Sequence, residues 1–262
     1  MSFIAPHNRQ LFANLVRREV RGRYKGSWLG IIWTLITPLV MMGAYTLVFT
    51  VVWQVVSITH YPLFILTGLA FWTFLTGSMT VAATSLVGNA DLVKKVAFPR
   101  QIVPLAAMVS QGITAAVMVA ILIPLNLWLM DGSRLVMLLL PLVIVASCAL
   151  VAGLALALSV LNVFFRDTEH IVNALLLPWF FLTPILYSFD SFPLATSHEW
   201  LLDLLKYANF ATPFVLAIQD TLFWGRMPET SVLIYIVVVG AAVFAGGYAL
   251  FRKMQRDLAV EL

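Results

Sequence analysis

The sequence predicts an all-α integral membrane protein with six transmembrane helices. Hydrophobic residues make up 61% of the 262-residue chain and charged residues only 11%, whereas soluble domains carry about 25% charged residues. Lipid forces a spanning backbone into helices or closed barrels, and the apolar runs here are too continuous for the alternating pattern of barrel strands. We therefore expect a single helical transmembrane domain over residues 1–262.

Five runs of the sequence lack Asp, Glu, Lys and Arg, and a membrane-spanning helix needs roughly 20 apolar residues. The first run is long enough for two helices, with a break near Ser57-Ile-Thr-His-Tyr-Pro62. The sequence therefore predicts six spans. The runs cover residues 27–90, 101–130, 135–165, 170–189 and 230–251.

The cations lie mainly on one side of these spans. Six cations precede the first helix against the single acid Glu19, the loop after the second helix has three cations against one acid, and the C-terminal tail has three against two. The connection at residues 190–229 has the opposite balance, with five acids and two cations. Because short loops rich in Lys and Arg face the cytoplasm, we expect both termini to be cytoplasmic.

Two further segments carry helical patterns. Residues 9–25 have apolar side chains along one side and arginines on most of the rest, as expected of an amphipathic helix at the inner membrane surface. In the outer connection, residues 197–208 and 213–224 each read as a short apolar helix. Connections this long are usually functional, so we expect a re-entrant helix pair that acts as an outer gate over residues 190–229.

Several chemical motifs are absent from the sequence. It contains no Gly-x-x-x-x-Gly-Lys-Ser/Thr, which predicts that the chain has no P-loop of its own. Its four histidines are scattered, with no metal-site spacing, and no acid or base lies well inside a predicted span, which argues against proton-driven transport. We expect no catalytic residue, metal or cofactor in this chain. The one cysteine, Cys148, excludes an intrachain disulfide.

A short polar segment, NADLVKKVAFPRQIVP at residues 89–104, separates two apolar runs. Residues 91–98 are long enough for two helical turns along the membrane surface, and Pro99 would end such a helix. A loop that only sets topology explains the cations. It does not explain Val96-Ala-Phe98 beside them, because such a loop has no use for an exposed aromatic side chain. We therefore expect this loop to form a contact surface.

Four motifs carry a family resemblance: RYKGSWLGIIWTLITP at residues 23–38, LVKKVAFPRQIVPL at residues 92–105, NVFFRD at residues 162–167 and LTPILY at residues 182–187. Together they resemble the ABC-2-type polysaccharide-export permeases, the family that moves lipid-linked O-antigen, teichoic acid and capsule chains. One departure is Asn209-Phe-Ala-Thr-Pro213, where such proteins more often read Asn-Pro.

The resemblance implies a half-transporter in the bacterial inner membrane, with no nucleic acid partner. Two copies of this chain would assemble with two copies of a cytosolic ATPase that binds ATP and Mg²⁺, and the substrate would be a polyprenyl-pyrophosphate-linked glycan. Residues 91–98 would form the coupling helix that fits a cleft of the ATPase, with Phe98 inserted and the N-terminal helix resting against the same subunit. The coupling residues would be Asp91, Lys94, Lys95, Phe98, Pro99 and Arg100.

Aromatic side chains predict a path for the glycan, because the apolar C–H faces of sugars stack on aromatic rings. Three of them recur at i, i+4 and i+8 on one face of the first span, and three more mark the fifth span. Proteins similar to this one line their pore with these two spans. The alternative is an aromatic belt at the outer membrane interface. The six residues are Tyr45, Phe49, Trp53, Trp179, Phe180 and Tyr187.

Three cations are expected at inner helix ends, where they could attract a lipid pyrophosphate: Arg23, Lys25 and Arg166. Each would contribute on the order of 1 kcal/mol near an anionic surface. Phospholipid anchoring is the alternative for all three. A structural ion pair with Asp167 is a further alternative for Arg166.

Two other functions compete with export of a lipid-linked glycan. Membrane glycosyltransferases that use polyprenyl-linked sugars generally carry an essential carboxylate in their first outer loop, where this chain has Ser57-Ile-Thr-His60. An ABC-2 permease for drugs or other small lipophiles would share the architecture. The polysaccharide-type motifs argue against that second alternative.

Overall fold

The computed structural model describes residues 6–54, 58–129, 134–189 and 199–262, and these ranges contain helices and turns but no β-strand. Short 3₁₀ turns precede two of the helices, at Gly30–Ile32 and Arg134–Leu139. The helices of the described ranges are α1 (Pro6–Tyr24), α2 (Trp33–Thr46), α3 (Tyr61–Gly88), α4 (Ala90–Lys95), α5 (Ile102–Leu129), α6 (Leu140–Phe164), α7 (Thr168–Leu182), α8 (Glu199–Ala208), α9 (Thr212–Ile218), α10 (Thr230–Met254) and α11 (Leu258–Glu261).

Five helical segments of the described chain are long and apolar enough to cross a membrane. α2 reaches this length because it continues as a π-helix over Leu47–Val52. The predicted break between the first two spans is present, since α3 begins only at Tyr61, after His60 in the left-handed conformation (φ 56°). The five segments are Trp33–Val52, Tyr61–Gly88, Ile102–Leu129, Leu135–Phe164 and Thr230–Met254.

The predicted fifth span, residues 170–189, contains a shorter helix than expected. α7 has 15 residues and ends at Leu182, which gives it a length of about 22 Å at ~1.5 Å per residue. Thr183 is extended (φ −100°, ψ 134°), because a residue that precedes a proline, here Pro184, disfavours the helical conformation. The expectation of a continuous helix to Phe189 is therefore wrong, and the chain reaches that residue in turns.

α3 is the most buried of the five long helical segments, and it packs against α2, α5, α6, α7 and α9. α6 and α10 form another tight pair. A Cβ atom added to Gly247 would lie 2.0 Å from the carbonyl oxygen of Gly153, and one added to Gly153 would lie 2.3 Å from that of Val243. Only glycine allows the two backbones this approach, a common device for packing helices in membranes.

We call the end of the bundle that the charge pattern predicts to be cytoplasmic the inner end, and the opposite end the outer end. At the inner end, side chains from seven helices form one apolar cluster, which we call the inner cluster. The sequence predicts an amphipathic α1 whose apolar side lies on the membrane surface. In the structure, Leu15 on that side is buried in this cluster. The C-terminal helix α11 contributes Leu258. The buried members are Leu15, Leu86, Val93, Phe98, Ile102, Val103, Ala106, Leu156, Val160, Val163, Phe251 and Leu258.

At the other end, the two predicted outer helices are present. α8 begins at Glu199, and the predicted start at Ser197 lies outside the described residues. α9 continues as a π-helix over Gln219–Trp224, and we call residues 212–224 the inserted arm. Between residues 212 and 223 every side chain except that of Leu216 is buried, because α3, α6 and α10 surround α9.

Candidate functional site

The inner loop between α3 and α5 is less helical than the sequence predicts. α4 ends at Lys95, and Val96 is extended (φ −119°, ψ 134°), so the expectation of a helix over residues 91–98 is wrong for its last three positions. Phe98 precedes Pro99, and a residue in that position disfavours the helical conformation. The extended path turns the chain back towards the membrane domain before α5 begins at Ile102.

Phe98 is buried, with 6% of its surface exposed, so the expectation of an exposed aromatic side chain is wrong. Its ring belongs to the inner cluster together with Val93, because burying an aromatic ring among apolar side chains removes a large apolar area from water. The exposed apolar side chain is that of Val96. The exposed face of the loop consists of Asp91, Lys94, Lys95, Val96 and Ala97.

Polar contacts fix the inner loop to two other elements. The guanidinium of Arg18 on α1 donates a hydrogen bond to the side-chain oxygen of Asn89. Nη1 of Arg100 donates to the carbonyl oxygen of Gln255 at 2.5 Å, one of the carbonyls that the end of α10 leaves without a helical partner. Together with the buried Val93 and Phe98, these contacts tie the loop to the first and last parts of the chain.

An open cavity of about 370 Å³ lies among α2, α3, α5 and the end of α1. Most of its lining surface is apolar, but one guanidinium and several hydroxyl groups face it, and we call it the inner polar cavity after these groups. Nη2 of Arg23 donates a hydrogen bond to Oγ of Ser110 at 3.1 Å, which holds the guanidinium at the cavity wall. A guanidinium among hydroxyl groups is suited to bind phosphate oxygens. The lining residues are Arg23, Ser27, Trp33, Thr34, Thr37, Pro38, Thr73 and Thr114.

The other two cations of the predicted phosphate set do not line this cavity. Lys25 and Arg166 are both exposed. Within the described part of the chain, Arg166 forms no ion pair with Asp167, so the alternative of a structural pair is wrong. The structure therefore brings one of the three predicted cations, Arg23, to a site with other polar groups.

Three of the six predicted path aromatics meet in one cluster. The ring of Tyr45 on α2 stacks on Phe180 of α7, with centroids 5.4 Å apart, although the two lie far apart in sequence. Trp72 of α3 contacts both Phe180 (5.6 Å) and Trp179 (5.5 Å). Sequence reasoning missed Trp72, because it lies on a span that the aromatic pattern did not single out.

The remaining path aromatics lie outside this cluster. Phe49 and Trp53 pack edge to face at 5.2 Å, and Trp53 is 61% exposed. Tyr187 donates from its hydroxyl to the carbonyl oxygen of Phe181 at 3.4 Å. Thus the predicted aromatic face of α2 divides into a protein contact at Tyr45 and an exposed end at Trp53.

Asn209, between α8 and α9, joins the outer helix pair to the end of α7. Its Oδ1 accepts hydrogen bonds from Nε1 of Trp179 (2.7 Å) and from the amide of Ala211 (3.1 Å). Its Nδ2 donates to the carbonyl of Leu182 (3.2 Å) and to Oγ1 of Thr183 (3.0 Å). Both lone pairs of Oδ1 and both N–H donors of Nδ2 therefore have partners. From the sequence, Asn209 was noted only because Asn209-Phe-Ala-Thr-Pro213 departs from the Asn-Pro of similar proteins. These hydrogen bonds were not predicted.

Two ion pairs stabilise the outer end. Nζ of Lys206 on α8 lies 2.6 Å from Oε2 of Glu229, which directly precedes α10, and Nε of Arg226 lies 2.6 Å from Oδ1 of Asp220. The hydrogen bond from Lys206 holds the pKa of Glu229 below its usual value. The first pair therefore joins the outer helix pair to the last long helix.

These features define a multi-pass helical membrane protein whose inner loop offers an exposed face and whose opposite end contains the buried inserted arm. The chain belongs to the ABC-2 type transporter family, whose model matches residues 10–212. Family membership makes it a transporter component and implies a partner ATPase.

The curated relatives share nearly the whole length of the chain. It is 29% identical over 251 residues to the O-antigen export system permease protein RfbA of Myxococcus xanthus, covering 96% of this chain and 95% of that protein. It is 28% identical over 258 residues to a protein of the same name from Klebsiella pneumoniae, covering 95% and 93%.

Proposed function

We propose that this chain is the transmembrane permease subunit of an ATP-driven exporter that moves a lipid-linked polysaccharide, of the O-antigen or teichoic-acid type, across the bacterial inner membrane. The observation that carries the proposal is the similarity to O-antigen permeases over 95% or more of the chain. In this proposal two copies of the chain work with two copies of the ATPase. α7 and the turns after it make the sixth crossing, and both termini are cytoplasmic.

The inner loop couples this subunit to the ATPase. Its exposed face carries Val96 and Ala97 beside Lys94 and Lys95, a small apolar centre with a charged edge, as in other protein interfaces. Phe98 and Val93 lie behind this face in the inner cluster. A displacement of the loop by the ATPase would therefore move α1, α5 and α10 together, with Phe98 as the internal anchor.

The inner polar cavity receives the phosphate groups of the lipid carrier. Arg23 supplies a positive charge and a planar set of N–H donors, and Ser27, Thr34 and Thr37 supply hydroxyl donors. Charge-assisted hydrogen bonds of this kind are about twice as strong as neutral ones. The exposed Lys25 and Arg166 raise the local concentration of the anionic substrate at the inner surface.

The aromatic residues of α2 and α7 line the path of the glycan. Because Tyr45 stacks on Phe180, passage of the glycan between these two helices would require the two rings to separate. Phe49 and Trp53 continue the same face of α2 beyond this contact. Separated rings would offer stacking surfaces to sugars without a tight binding site.

The test is a transport assay in vesicles that contain this chain, its cognate ATPase and a fluorescent lipid-linked glycan. We expect ATP-dependent transfer to the opposite leaflet, which should stop when the ATPase is left out. ATP-dependent transfer of a small lipophilic dye but not of the glycan would replace the proposal with the drug-permease alternative. Transfer of sugar onto an acceptor without ATP would replace it with the glycosyltransferase alternative.

A further inference from the structure

The inner polar cavity is larger than a phosphate group requires. Its volume of about 370 Å³ falls within the range of about 300–1,000 Å³ that is typical of sites for small organic molecules. Arg23 at its wall forms no ion pair within the described part of the chain, so its charge is available to an anionic ligand. The rest of the space is available to the group that this anion carries.

The lining side chains come from successive turns of two helices. On α5, Ser110, which accepts the hydrogen bond from Arg23 at 3.1 Å, lies one turn before Thr114. On α2, Trp33 lies one turn before Thr37. Side chains at i and i+4 of a helix lie on the same face. The guanidinium therefore lies near the hydroxyl group of Thr114, and the indole ring of Trp33 lies near that of Thr37.

Two hydroxyl groups of the cavity have no partner in the described part of the chain. Thr67, Thr73 and Thr76 of α3 each donate a hydrogen bond to the carbonyl oxygen four residues earlier, which is the usual way for a hydroxyl group in a helix to find a partner. The hydroxyl groups of Thr37 and Thr114 form no hydrogen bond with any described residue. They can therefore donate to a ligand and accept from it.

The indole ring of Trp33 is also available to a ligand. Trp33 is 46% exposed, and among the described residues its ring has no aromatic neighbour and its Nε1 has no acceptor. In contrast, Trp72 and Trp179 pack edge to face on each other, and Nε1 of Trp179 donates to Asn209. A free aromatic face beside free hydroxyl groups suits a sugar, because its C–H face stacks on the ring while its own hydroxyl groups form hydrogen bonds.

We propose that the inner polar cavity binds a glycosyl phosphate, in which Arg23 holds the phosphate group and Trp33 stacks on the sugar attached to it. This assignment rests on the proposed function, because a lipid-linked glycan carries its first sugar on a phosphate group. Thr37 and Thr114 form hydrogen bonds with the sugar and the phosphate. Phosphatidylethanolamine and phosphatidylglycerol share the phosphate chemistry but offer no ring to Trp33, so the indole ring makes the site selective for the glycan carrier.

The experiment measures binding of soluble probes to the complete transporter in detergent, with the ATPase saturated with ADP. The probes are the 1-phosphates of glucose, galactose, mannose and N-acetylglucosamine, and inorganic phosphate and glycerol 3-phosphate are the competitors. Saturation-transfer NMR detects the bound sugar protons, and competition gives the relative affinities. We expect at least one glycosyl phosphate to bind several-fold more tightly than both competitors. Equal affinities would reduce the cavity to a phosphate or headgroup site, and no binding of any probe would mean that the assembled transporter closes it; either result would overturn the proposal.

Variants of the cavity provide the second arm. Trp33→Leu should weaken binding of the glycosyl phosphate several-fold and leave inorganic phosphate unaffected, whereas Trp33→Phe should retain most of the affinity. Arg23→Gln should weaken both ligands. Trp128→Leu, at an 81% exposed residue of α5, should bind like the wild type. Helical content and retention of the ATPase identify the variants that fold, and Thr37→Val, which has nearly the same shape as the wild type, replaces Trp33→Leu if that variant does not.

The transport assay separates this proposal from the proposed function. If ATP drives glycan transfer but Trp33→Leu and Thr37→Val bind the glycosyl phosphate like the wild type, the sugar site is wrong and the exporter function stands. If binding depends on Trp33 but ATP drives no glycan transfer, the site stands and the exporter function is wrong.

Discussion

Arg100 of the inner loop donates a hydrogen bond of 2.5 Å from Nη1 to the carbonyl oxygen of Gln255, directly after α10. The two residues are 155 positions apart in sequence. A cation at this end of a helix also interacts favourably with the helix dipole. The contact therefore links the loop that faces the ATPase in our proposal to the last long helix of the chain.

Arg100→Ala should lower the amount of glycan exported per ATP hydrolysed while leaving ATPase binding nearly intact. The side chain is only half-buried and points back to α10, away from the exposed face of the loop. Its loss should therefore weaken the link between the loop and α10 more than it weakens binding of the ATPase. Hydrolysis and export measured on the same vesicles give this ratio. An unchanged ratio would mean that the contact carries no coupling.

Phe98→Ala should destabilise the folded chain by about 3–5 kcal/mol, because it removes a buried ring and leaves a cavity in the inner cluster. Thermal unfolding of the purified protein in detergent measures the effect. Phe165→Ala is the matched control, since the Phe165 side chain is 63% exposed. Equal unfolding temperatures for the two variants would place the Phe98 ring outside the core.

Gly247→Leu should disrupt the packing of α6 on α10 and destabilise the protein by about 3 kcal/mol or more. A Cβ atom at this position would lie 2.0 Å from a backbone oxygen of Gly153, which cannot move aside as a flexible side chain can. Gly246→Leu is the control, because a Cβ atom there meets nothing within 4 Å. Similar losses of stability in both variants would contradict this account of the helix pair.

Asn209→Ala should loosen the inserted arm and destabilise the outer end by about 1–3 kcal/mol, because Nε1 of Trp179 loses its acceptor. A cysteine at the buried Val215, in a Cys148→Ser background, should then react faster with a membrane-impermeant maleimide. Asn173→Ala removes only the acceptor of a 3.3 Å hydrogen bond from Thr80 and should not change the labelling. Equal rates in both variants would exclude a clamping role for Asn209.

The ion pair between Lys206 and Glu229 predicts a pH dependence of stability. The folded-state pKa of Glu229 is lowered, first by the hydrogen bond from Lys206, so the stabilisation is complete above the usual value of 4.5 and is lost as the pH falls through the lowered value. Because Glu229 is 66% exposed, the effect should be at most about 1 kcal/mol. Wild type and Glu229→Gln should differ in unfolding temperature at pH 7 and converge in acid; a constant difference would contradict this.

The long helices could be predicted because charge-free runs of this length have only one stable form in lipid. The end of α7 could also have been predicted, since Thr183 precedes Pro184 and a residue in that position disfavours the helical conformation. The prediction relied on hydrophobicity alone and therefore extended the span to Phe189. The burial of Phe98 could not be read from the loop. It depends on partners such as Phe251 and Leu258, which only the tertiary fold brings to the inner end.

The candidate site could be predicted only in part, because it also depends on contacts between helices that are distant in sequence. Tyr45, Trp179 and Phe180 were singled out by spacing and by family resemblance, but Trp72, which contacts the rings of Trp179 and Phe180, lies on another helix. Arg23 was expected at an inner helix end, whereas the hydroxyl groups around it come from α2, α3, α5 and the turn after α1. Contacts between distant segments, which no local pattern encodes, account for most of what was missed.

The exposed face of the inner loop binds the ATPase in our proposal, and Val96→Asp places a charge in the middle of that face. Val96 is exposed and does not belong to the inner cluster, so the variant should fold normally. A charge at the centre of the contact should weaken binding by about 2 kcal/mol, roughly 30-fold. Met227→Asp, at a 66% exposed residue of the outer end, should bind the ATPase like the wild type. If the ATPase binds Val96→Asp and Met227→Asp with the affinity of the wild-type chain, the inner loop is not the coupling surface.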